Sequence, residues 1–259
     1  MKHNYHTHTT RCGHARGTDA EYIEKAISEG LLTLGFSDHT PYPYPGGYVS
    51  PDKMRMDQME EYFDTLLSLR HRYRDYIDIK IGFEAEYYPA FFDELLAEYR
   101  KYPLDYLIYG GHFIGNESLP GSFNSFCKTE DKDRLNRYID HTVEALRTGR
   151  FTYVAHPDMI QYVGDDGYYR QQMRRLILTA NELSLPLEIN LYGIRDNRFY
   201  PHLPFWEEAA ALGATAVLGC DAHRPELVAV KWEIEEAERL ADRLGLKVID
   251  EVTLVDPLK

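Results

Sequence analysis

The sequence of 259 residues predicts an α/β fold, a distorted (β/α)7 TIM-like barrel formed by a single domain over residues 1–259. Short apolar runs alternate with amphipathic segments along the chain, a pattern typical of parallel barrels built from strand–helix units. Seven of the eleven histidines end one of these apolar runs or lie in the loop that follows it. Because the strand ends of a parallel barrel meet on one face, these histidines are predicted to share one site.

The elements are predicted in chain order. The first strand ends at residues 5–9, and the next helix begins at Thr18 or Asp19, which are good N-cap residues, and stops at Gly30. A loop over residues 41–47, rich in Pro and Gly, is expected over the mouth of the site. Further strands are predicted at 31–38, 77–87, 104–113, 151–155, 185–191 and 215–219. Further helices are predicted at 55–73, 90–102, 135–146, 168–183, 205–212 and 228–244.

Composition excludes several classes of protein. A hydrophobic content of 44% with no apolar stretch near 18 residues predicts a protein that does not span a membrane, and the first motif leaves no room for a signal peptide, so a cytoplasmic location is expected. The formal charge of −13, without a basic stripe, argues against a nucleic-acid partner. Cys12, Cys127 and Cys220 are too few and too widely spaced for a disulfide framework, and Cys12 and Cys220 are expected to be packing residues.

Nine residues at the predicted strand ends are candidate metal ligands. His6 and His8 flank one residue of an extended segment, so both imidazoles face the same side. Glu84 ends a buried strand, where a carboxylate needs a cation to offset its desolvation, and Glu86 on the same face is the alternative. Neutral imidazole and carboxylate are ligands that suit Zn, Fe and Mn alike. The predicted ligands are His6, His8, His14, His39, Glu84, His112, His156, Asp221 and His223.

Six short motifs carry most of these ligands: His6-Thr7-His8, Ser37-Asp38-His39, Gly82-Phe83-Glu84, Gly111-His112, Ala155-His156-Pro157 and Asp221-Ala222-His223. In this order they resemble the motifs of the polymerase and histidinol phosphatase (PHP) superfamily, from residue 3 to about residue 225. The resemblance implies the PHP fold and a site for three divalent metal ions. It places one ion at His6, His8, Glu84 and Asp221, a second at Glu84, His112 and His156, and a third at His14, His39 and His223.

Three further segments, Glu188-Ile189-Asn190, Gly193-Ile194-Arg195 and Tyr200-Pro201, are similar to the histidinol-phosphatase branch of this superfamily. The resemblance implies hydrolysis of L-histidinol phosphate in histidine biosynthesis, by a hydroxide that bridges two metal ions. Arg195 would bind the phosphate, Asn190 would face the substrate, and His202 would lie near the leaving group. The stretch from 158 to 164 offers no second arginine, which leaves Arg16 and Arg224 as candidates.

The sequence offers alternatives for the contacts to the rest of the substrate. Asp38 and Glu117 are both candidates for binding the substrate's ammonium group. Six aromatic residues in the loops either close over the substrate or pack the loops onto the barrel: Tyr42, Tyr44, Tyr48, Phe113, Phe123 and Phe126.

Three alternative functions share part of the pattern. A PHP phosphoesterase acting on nucleotides, phosphotyrosine or nucleic-acid ends would use the same nine ligands, and only the stretch from 190 to 201 and the negative charge argue against it. An amidohydrolase-type deaminase also has a His-x-His barrel, but it does not require His14 and His39. A non-catalytic binding protein has no need of all nine. The predicted partner is therefore a small phosphorylated substrate, and the oligomeric state is left open.

Overall fold

The computed structural model describes residues 1–259, which form ten strands and eight α-helices. The strands are β1 His3–Asn4, β2 Thr33–His39, β3 Asp78–Ala85, β4 Tyr106–Gly110, β5 Phe113–Ile114, β6 Phe123–Asn124, β7 Val154–Ala155, β8 Leu187–Asn190, β9 Thr215–Gly219 and β10 Lys247–Ile249. The helices are α1 Asp19–Ser28, α2 Met59–Tyr73, α3 Pro89–Tyr99, α4 Lys132–Arg147, α5 Asp166–Glu182, α6 Leu191–Arg195, α7 Leu203–Ala211 and α8 Lys231–Leu244. None of these helices has both the length and the apolar character needed to cross a bilayer.

Eight parallel strands form one barrel-like sheet in the order β1-β2-β3-β4-β7-β8-β9-β10, and β5 pairs with β6 in a small antiparallel sheet. Helices connect successive strands of the large sheet, as the alternation in the sequence predicts. Beyond the ends of β1 and β9, Thr7 and Ala222 form a parallel bridge. This bridge brings the two motifs at the start and end of the barrel side by side.

The predicted α/β barrel is confirmed, and the structure adds short elements to it. Strand β9 has the predicted bounds, and Thr18 caps α1 through a capping box with Glu21. The sequence did not predict the hairpin of β5 and β6, helix α6 or strand β10. Each has five residues or fewer, which is too short for a periodic pattern to show.

Two apolar clusters occupy opposite faces of the sheet. Leu107 and Tyr109 of β4 belong to the large cluster of 58 buried residues that lies between the strands and the helices. The alternate residues Tyr106 and Ile108 belong to a small cluster of 7, as expected when successive side chains point to opposite faces. The Tyr106 hydroxyl donates a hydrogen bond of 2.7 Å to the carbonyl oxygen of Tyr5. The inner face is therefore filled with apolar groups below the strand ends, where the histidines lie.

Two strand glycines leave space for buried carboxylates. A Cβ atom on Gly110 would lie 2.3 Å from Oε1 of Glu84, and one on Gly219 would lie 1.7 Å from Oε1 of Glu188. Both distances are far below any van der Waals contact. A side chain at either position would displace a carboxylate from the mouth of the barrel.

We expect Gly219→Ala to lower the free energy of unfolding by about 1–3 kcal/mol, because the new methyl group overpacks the space that Glu188 occupies. Gly167→Ala is the matched control. Gly167 lies in the first turn of α5 and its Cβ would make only an ordinary contact, so alanine is expected to leave stability unchanged or to raise it. Urea denaturation of both variants measures the difference. Equal stabilities would contradict this account of Gly219.

Candidate active site

Glu84 is the centre of a group of histidines at the strand ends. Its Oε2 atom lies 3.4 Å from His6 Nε2 and 3.1 Å from His39 Nδ1. Its Oε1 atom lies 2.7 Å from His156 Nε2 and 3.2 Å from His112 Nε2. The two oxygens of one carboxylate therefore face two different groups of imidazoles.

Asp221 is the second carboxylate of this site. Its Oδ1 atom lies 3.0 Å from His8 Nε2, 3.6 Å from His6 Nε2 and 3.4 Å from His223 Nδ1. Its Oδ2 atom accepts a hydrogen bond of 3.1 Å from Nδ2 of Asn190, which fixes the orientation of the carboxylate. Asp221 thus joins the His6 and His8 pair on the side that faces His223.

His14, His39 and His223 form a third group nearer to solvent. The ring centroid of His14 lies 4.6 Å from that of His223 and 5.3 Å from that of His39. The ring of His223 is also stacked 4.0 Å from that of His8, which connects this group to the rest of the site. The structure therefore brings all nine predicted ligands together.

The site contains buried polar atoms that lack a hydrogen-bond partner, although such atoms normally have one. Six of the nine residues contribute at least one atom of this kind: His6 Nε2, His8 Nε2, both oxygens of Glu84, His156 Nε2, Asp221 Oδ1 and His223 Nε2. Imidazole nitrogens and carboxylate oxygens that face one another without partners match the donor set of Zn, Fe or Mn. The residues present therefore fit divalent metal ions.

The charges within the site are strongly coupled. Burial opposes the ionisation of Glu84 and Asp221, yet the surrounding histidines hold the pKa of each carboxyl well below its usual value. Burial also disfavours protonation of His8, but the Asp221 and Asp38 carboxylates raise its pKa to about 9. Burial and then the charge of His8 hold the pKa of His39 and His223 well below the usual value. Despite burial, the carboxylates of Glu188, Asp221 and Glu84 hold the pKa of His6 well above its usual value. Without metal, protons on His6 and His8 therefore compensate the carboxylates, and metal ions would replace them.

Three carboxylates outside the group orient the imidazole rings. Nδ1 of His6 donates to Glu188 Oε1 at 2.9 Å, and Nδ1 of His112 donates to Glu86 Oε1 at 3.1 Å. Nδ1 of His8 lies 3.5 Å from Asp38 Oδ1. Each contact leaves Nε2 directed at the site, as is usual for metal-binding histidines whose other ring nitrogen is hydrogen-bonded to a carboxylate. Glu86, the alternative ligand, therefore supports His112 instead of facing the site.

Two of the candidate ligands have a strained backbone. His156 has a φ of 30° and Asp221 a φ of 46°, both in the left-handed region that residues other than glycine rarely adopt. Such conformations persist only when the surrounding structure imposes them, and they cluster at functional sites. The fold thus maintains unfavourable backbone geometry at two positions where it aims a side chain at Glu84 or His8.

A cavity of about 180 Å³ opens beside the histidines. Besides ligands of the site, its lining contains aromatic residues and the charged residues Asp52, Lys53 and Arg198. The cavity is lined by His14, His39, Asp52, Lys53, His112, Phe113, Asn124, Phe126, Met159, Tyr192, Arg198, Tyr200, Asp221 and His223.

Residues 4–192 match the family model of the PHP domain. The chain belongs to the PHP family. It is 31% identical over 238 residues to a protein of Deinococcus radiodurans named "Probable histidinol-phosphatase", with 88% of each chain covered. It is 25% identical over 268 residues to a protein of the same name from Schizosaccharomyces pombe, covering 93% of this chain and 86% of the relative.

A solved structure of similar fold supports the architecture of this PHP protein. The histidinol phosphate phosphatase of Lactococcus lactis subsp. lactis, in complex with zinc, L-histidinol and phosphate, superposes with a TM-score of 0.74 at 21% sequence identity. The alignment covers 100% of this chain and 98% of the other. At this level of identity, the likeness confirms the PHP fold.

The structure places Arg195 outside the cavity lining. Its guanidinium is nearly buried and Nη1 donates to Glu233 of α8 at 3.0 Å, whereas Nε and Nη2 have no hydrogen-bond partner. Arg198, which the sequence analysis missed, lines the cavity in its place. Nη2 of Arg198 donates to the Tyr192 hydroxyl at 2.6 Å, and its guanidinium lies 4.2 Å from the centre of the Tyr192 ring. The other candidates, Arg16 and Arg224, are also absent from the cavity wall.

His202 and Asn190 also differ from their predicted roles. His202 lies outside the cavity, stacked 4.2 Å from Phe199, and burial lowers its pKa to about 4, so its imidazole is neutral and a poor acid at pH 7. Both polar atoms of the Asn190 side-chain amide are hydrogen-bonded. Oδ1 accepts from the amide of Gly193 at the start of α6, and Nδ2 donates to Asp221 at 3.1 Å. Asn190 therefore positions Asp221 and α6 and leaves the substrate to other residues.

The loop aromatics divide between the two predicted roles. Phe113 and Phe126 line the cavity, whereas the Tyr42 hydroxyl donates to the carbonyl oxygen of Glu86 and the Tyr44 hydroxyl donates to Glu117. Tyr48 and Phe123 do not line the cavity. Tyr42 and Tyr44 thus pack residues 41–47 onto the barrel, and the aromatic part of the cavity lining contributed by these six residues comes from β5 and the segment after β6.

Cys12 and Cys220 are free, buried and hydrogen-bonded to backbone. The Cys12 thiol donates to the carbonyl oxygen of Thr9 at 3.1 Å, and Cys220 Sγ accepts from the amide of Ala229 at 3.3 Å. Burial raises the pKa of both thiols, which keeps them protonated. These contacts confirm the packing role expected from the sequence.

We expect the metal-free protein to lose stability as pH rises from 7 to above 9. The pKa of His8 is about 9 in the folded state and 6.5 when unperturbed, so its proton stabilises the fold fully below pH 6.5 and is lost as pH rises through 9. The expected loss in free energy of unfolding is on the order of 2 kcal/mol. Urea denaturation with a chelator present measures it.

His8→Asn should weaken this pH dependence, and His71→Asn, on an exposed part of α2, should leave it intact. Metal-loaded protein should show less dependence over the same range, because bound cations replace the proton. Metal-free protein that is equally stable at pH 7 and pH 9.5 would show that His8 does not carry the compensating charge.

Proposed function

We propose that this PHP protein is a metal-dependent histidinol-phosphatase that hydrolyses L-histidinol phosphate to L-histidinol and phosphate. The observation that carries the proposal is the Glu84 carboxylate, whose two oxygens face separate groups of imidazoles next to a cavity that contains an arginine. The relatives named as probable histidinol-phosphatases, aligned over most of the chain, support the choice of substrate.

The side chains at the site would hold three divalent ions. His6, His8, Asp221 and Oε2 of Glu84 would bind one, and Oε1 of Glu84 with His112 and His156 would bind the second. His14, His39 and His223 would bind the third. When bound, such ions lower the pKa of a coordinated water towards neutrality and stabilise charge on the phosphoryl oxygens. Zinc, iron and manganese all suit these ligands, and the relative from Lactococcus lactis was solved with zinc.

Arg198 is the residue that we assign to the substrate phosphate. A guanidinium presents two parallel donors to phosphate, and hydrogen bonding and stacking on Tyr192 orient Arg198 before the substrate arrives. The nearest carboxylate, Asp196, lies 3.8 Å away and is partly exposed, so it competes weakly for the guanidinium. The other basic residue on the cavity wall, Lys53, lies 2.6 Å from Glu86 and 3.1 Å from Glu117, which neutralise its charge.

The aromatic wall suits the imidazole ring of the substrate. Phe113, Phe126, Tyr192 and Tyr200 line the cavity next to the histidines: the Phe126 ring lies 6.0 Å from that of His112, and the Tyr200 ring lies 5.8 Å from that of His156. Flat aromatic faces bind a heteroaromatic ring by offset stacking and exclude water from the reacting phosphate.

We expect metal-loaded enzyme to hydrolyse L-histidinol phosphate with a kcat/KM at least about tenfold above that for nucleoside monophosphates and phosphotyrosine. The reason is that the cavity combines an aromatic wall with a cationic group close to the histidines. A steady-state phosphate-release assay over this panel provides the measurement. A flat profile would leave the protein a PHP phosphoesterase of another substrate class.

We expect Arg198→Ala to lower kcat/KM for L-histidinol phosphate by about 10²-fold or more, because a donor to the phosphoryl oxygens is lost. Arg198→Lys should retain part of the activity, since the charge remains but the paired donors do not. Arg174→Ala, on the exposed face of α5, is the control and should match the wild type.

Arg195→Ala tests the assignment of the phosphate to Arg198 instead of Arg195. It should lower stability, because it leaves Glu233 buried without its partner, and should lower kcat/KM less than Arg198→Ala does. A stable Arg195→Ala variant with the larger kinetic loss would favour Arg195 as the phosphate ligand.

A further inference from the structure

We propose that Asp52 binds the ammonium group of the substrate and thereby selects amino-alkyl phosphate esters over other phosphate monoesters. The inference rests on the proposed function and extends it to a second contact of the same substrate. L-Histidinol phosphate carries an ammonium group in addition to its phosphate and imidazole, so a complete site needs an anion as well as a cation.

Among the carboxylates near the cavity, Asp52 is the one that lines it without being engaged by another residue. Only Asp52 and Asp221 place a carboxylate on the cavity wall, and Asp221 is engaged by Asn190 and faces His8. The two candidates from the sequence do not line the cavity. Asp38 is fully buried beside His8, and Glu117 receives bonds from other residues of the loops. Asp52, by contrast, is exposed to the cavity and forms no ion pair with a Lys, Arg or His side chain.

The backbone around Asp52 is fixed although the residue lies in a long loop. The amide of Asp52 donates to Ser50 Oγ at 3.4 Å, and Ser50 Oγ in turn donates to Glu117 at 3.1 Å. On the other side, the amide of Met54 donates to the carbonyl oxygen of His39 at 3.3 Å. Lys53 is buried in contact with Glu86 and Glu117. The backbone that carries the Asp52 carboxylate is therefore held in place before the substrate binds, which limits the entropic cost of recognition to the side chain.

The cavity lining carries charged residues of both signs, which matches a substrate that is both cationic and anionic. Lys53 contacts two carboxylates, Glu86 and Glu117, so this part of the wall bears an excess negative charge in addition to that of Asp52. Arg198 is contributed by the loop after α6, on a different segment of the wall. A phosphate directed to Arg198 and the histidines would leave the ammonium group to Asp52. An ester without that group would meet an unpaired negative charge there, which discriminates against it.

The test compares two substrates that differ only in the ammonium group, L-histidinol phosphate and 3-(imidazol-4-yl)propyl phosphate. For Asp52→Asn we expect kcat/KM for L-histidinol phosphate to fall roughly tenfold to a hundredfold, mostly through KM, as for the loss of a charge-assisted hydrogen bond. The loss for the deamino ester should be much smaller, so the ratio of the two kcat/KM values should fall by about tenfold or more. Asp52→Glu should retain part of the selectivity.

Asp64→Asn, at an exposed position of α2, is the matched control and should leave both substrates unaffected. Inhibition by L-histidinol gives a second readout: Asp52→Asn should weaken it by a similar factor and leave inhibition by inorganic phosphate unchanged. Equal losses for the two esters, or unaltered inhibition by L-histidinol, would overturn the role of Asp52 but not the proposed function. A wild-type enzyme that does not hydrolyse L-histidinol phosphate would overturn the proposed function as well.

Discussion

A carboxylate buried among imidazoles determines how the metal site of this protein is built. Glu84 is 1% exposed, and both of its oxygens lack a hydrogen-bond donor. Burying an ionised carboxylate in this way is strongly unfavourable unless cations surround it. The fold supplies five imidazoles around Glu84, and it does so by ending parallel strands at one level. Pairing of β2 with β3 places His39 directly beside Glu84, and Gly110 on β4 leaves the space that the carboxylate fills.

The second layer of the site determines what the histidines can do. Glu188, Glu86 and Asp38 each approach the far nitrogen of one imidazole, so the near nitrogen remains available as a ligand. Glu188 also accepts a hydrogen bond from the amide of His156, which has a left-handed backbone conformation. These outer carboxylates add negative charge around a site already rich in it. Such an arrangement favours the binding of several divalent cations over that of a single proton or a neutral ligand.

The sequence predicted the ligand set because each ligand lies at the end of an apolar strand or in the loop that follows it, a position that periodicity reveals. All nine come together in the structure for that reason. Glu188 was named in a motif, but its contact with His6 was not predicted, because a carboxylate inside a buried strand gives the same sequence pattern whether it faces a metal, a histidine or an arginine. For the same reason, the sequence did not show whether Glu86 faces a metal or another residue. Glu86 was the alternative ligand, and in the structure it supports His112.

Arg195 and Arg198 show where sequence reasoning stops. They are three residues apart, around the end of a helix of five residues, and the direction of each side chain depends on where α6 begins. Asn190 sets that point by capping the helix, and only three-dimensional packing against Glu233 decides which arginine reaches the cavity. Asp52 was missed for a related reason. It lies in an irregular loop whose shape is determined by contacts of Ser50 and Lys53 with residues far away in the chain.

Anomalous diffraction from crystals of protein purified without chelators, recorded at the zinc, iron and manganese absorption edges, would locate the metal ions. We expect three anomalous peaks: one on each side of the Glu84 carboxylate, and a third among His14, His39 and His223. Fewer than two peaks, or no peak adjacent to Glu84, would contradict the proposed metal site.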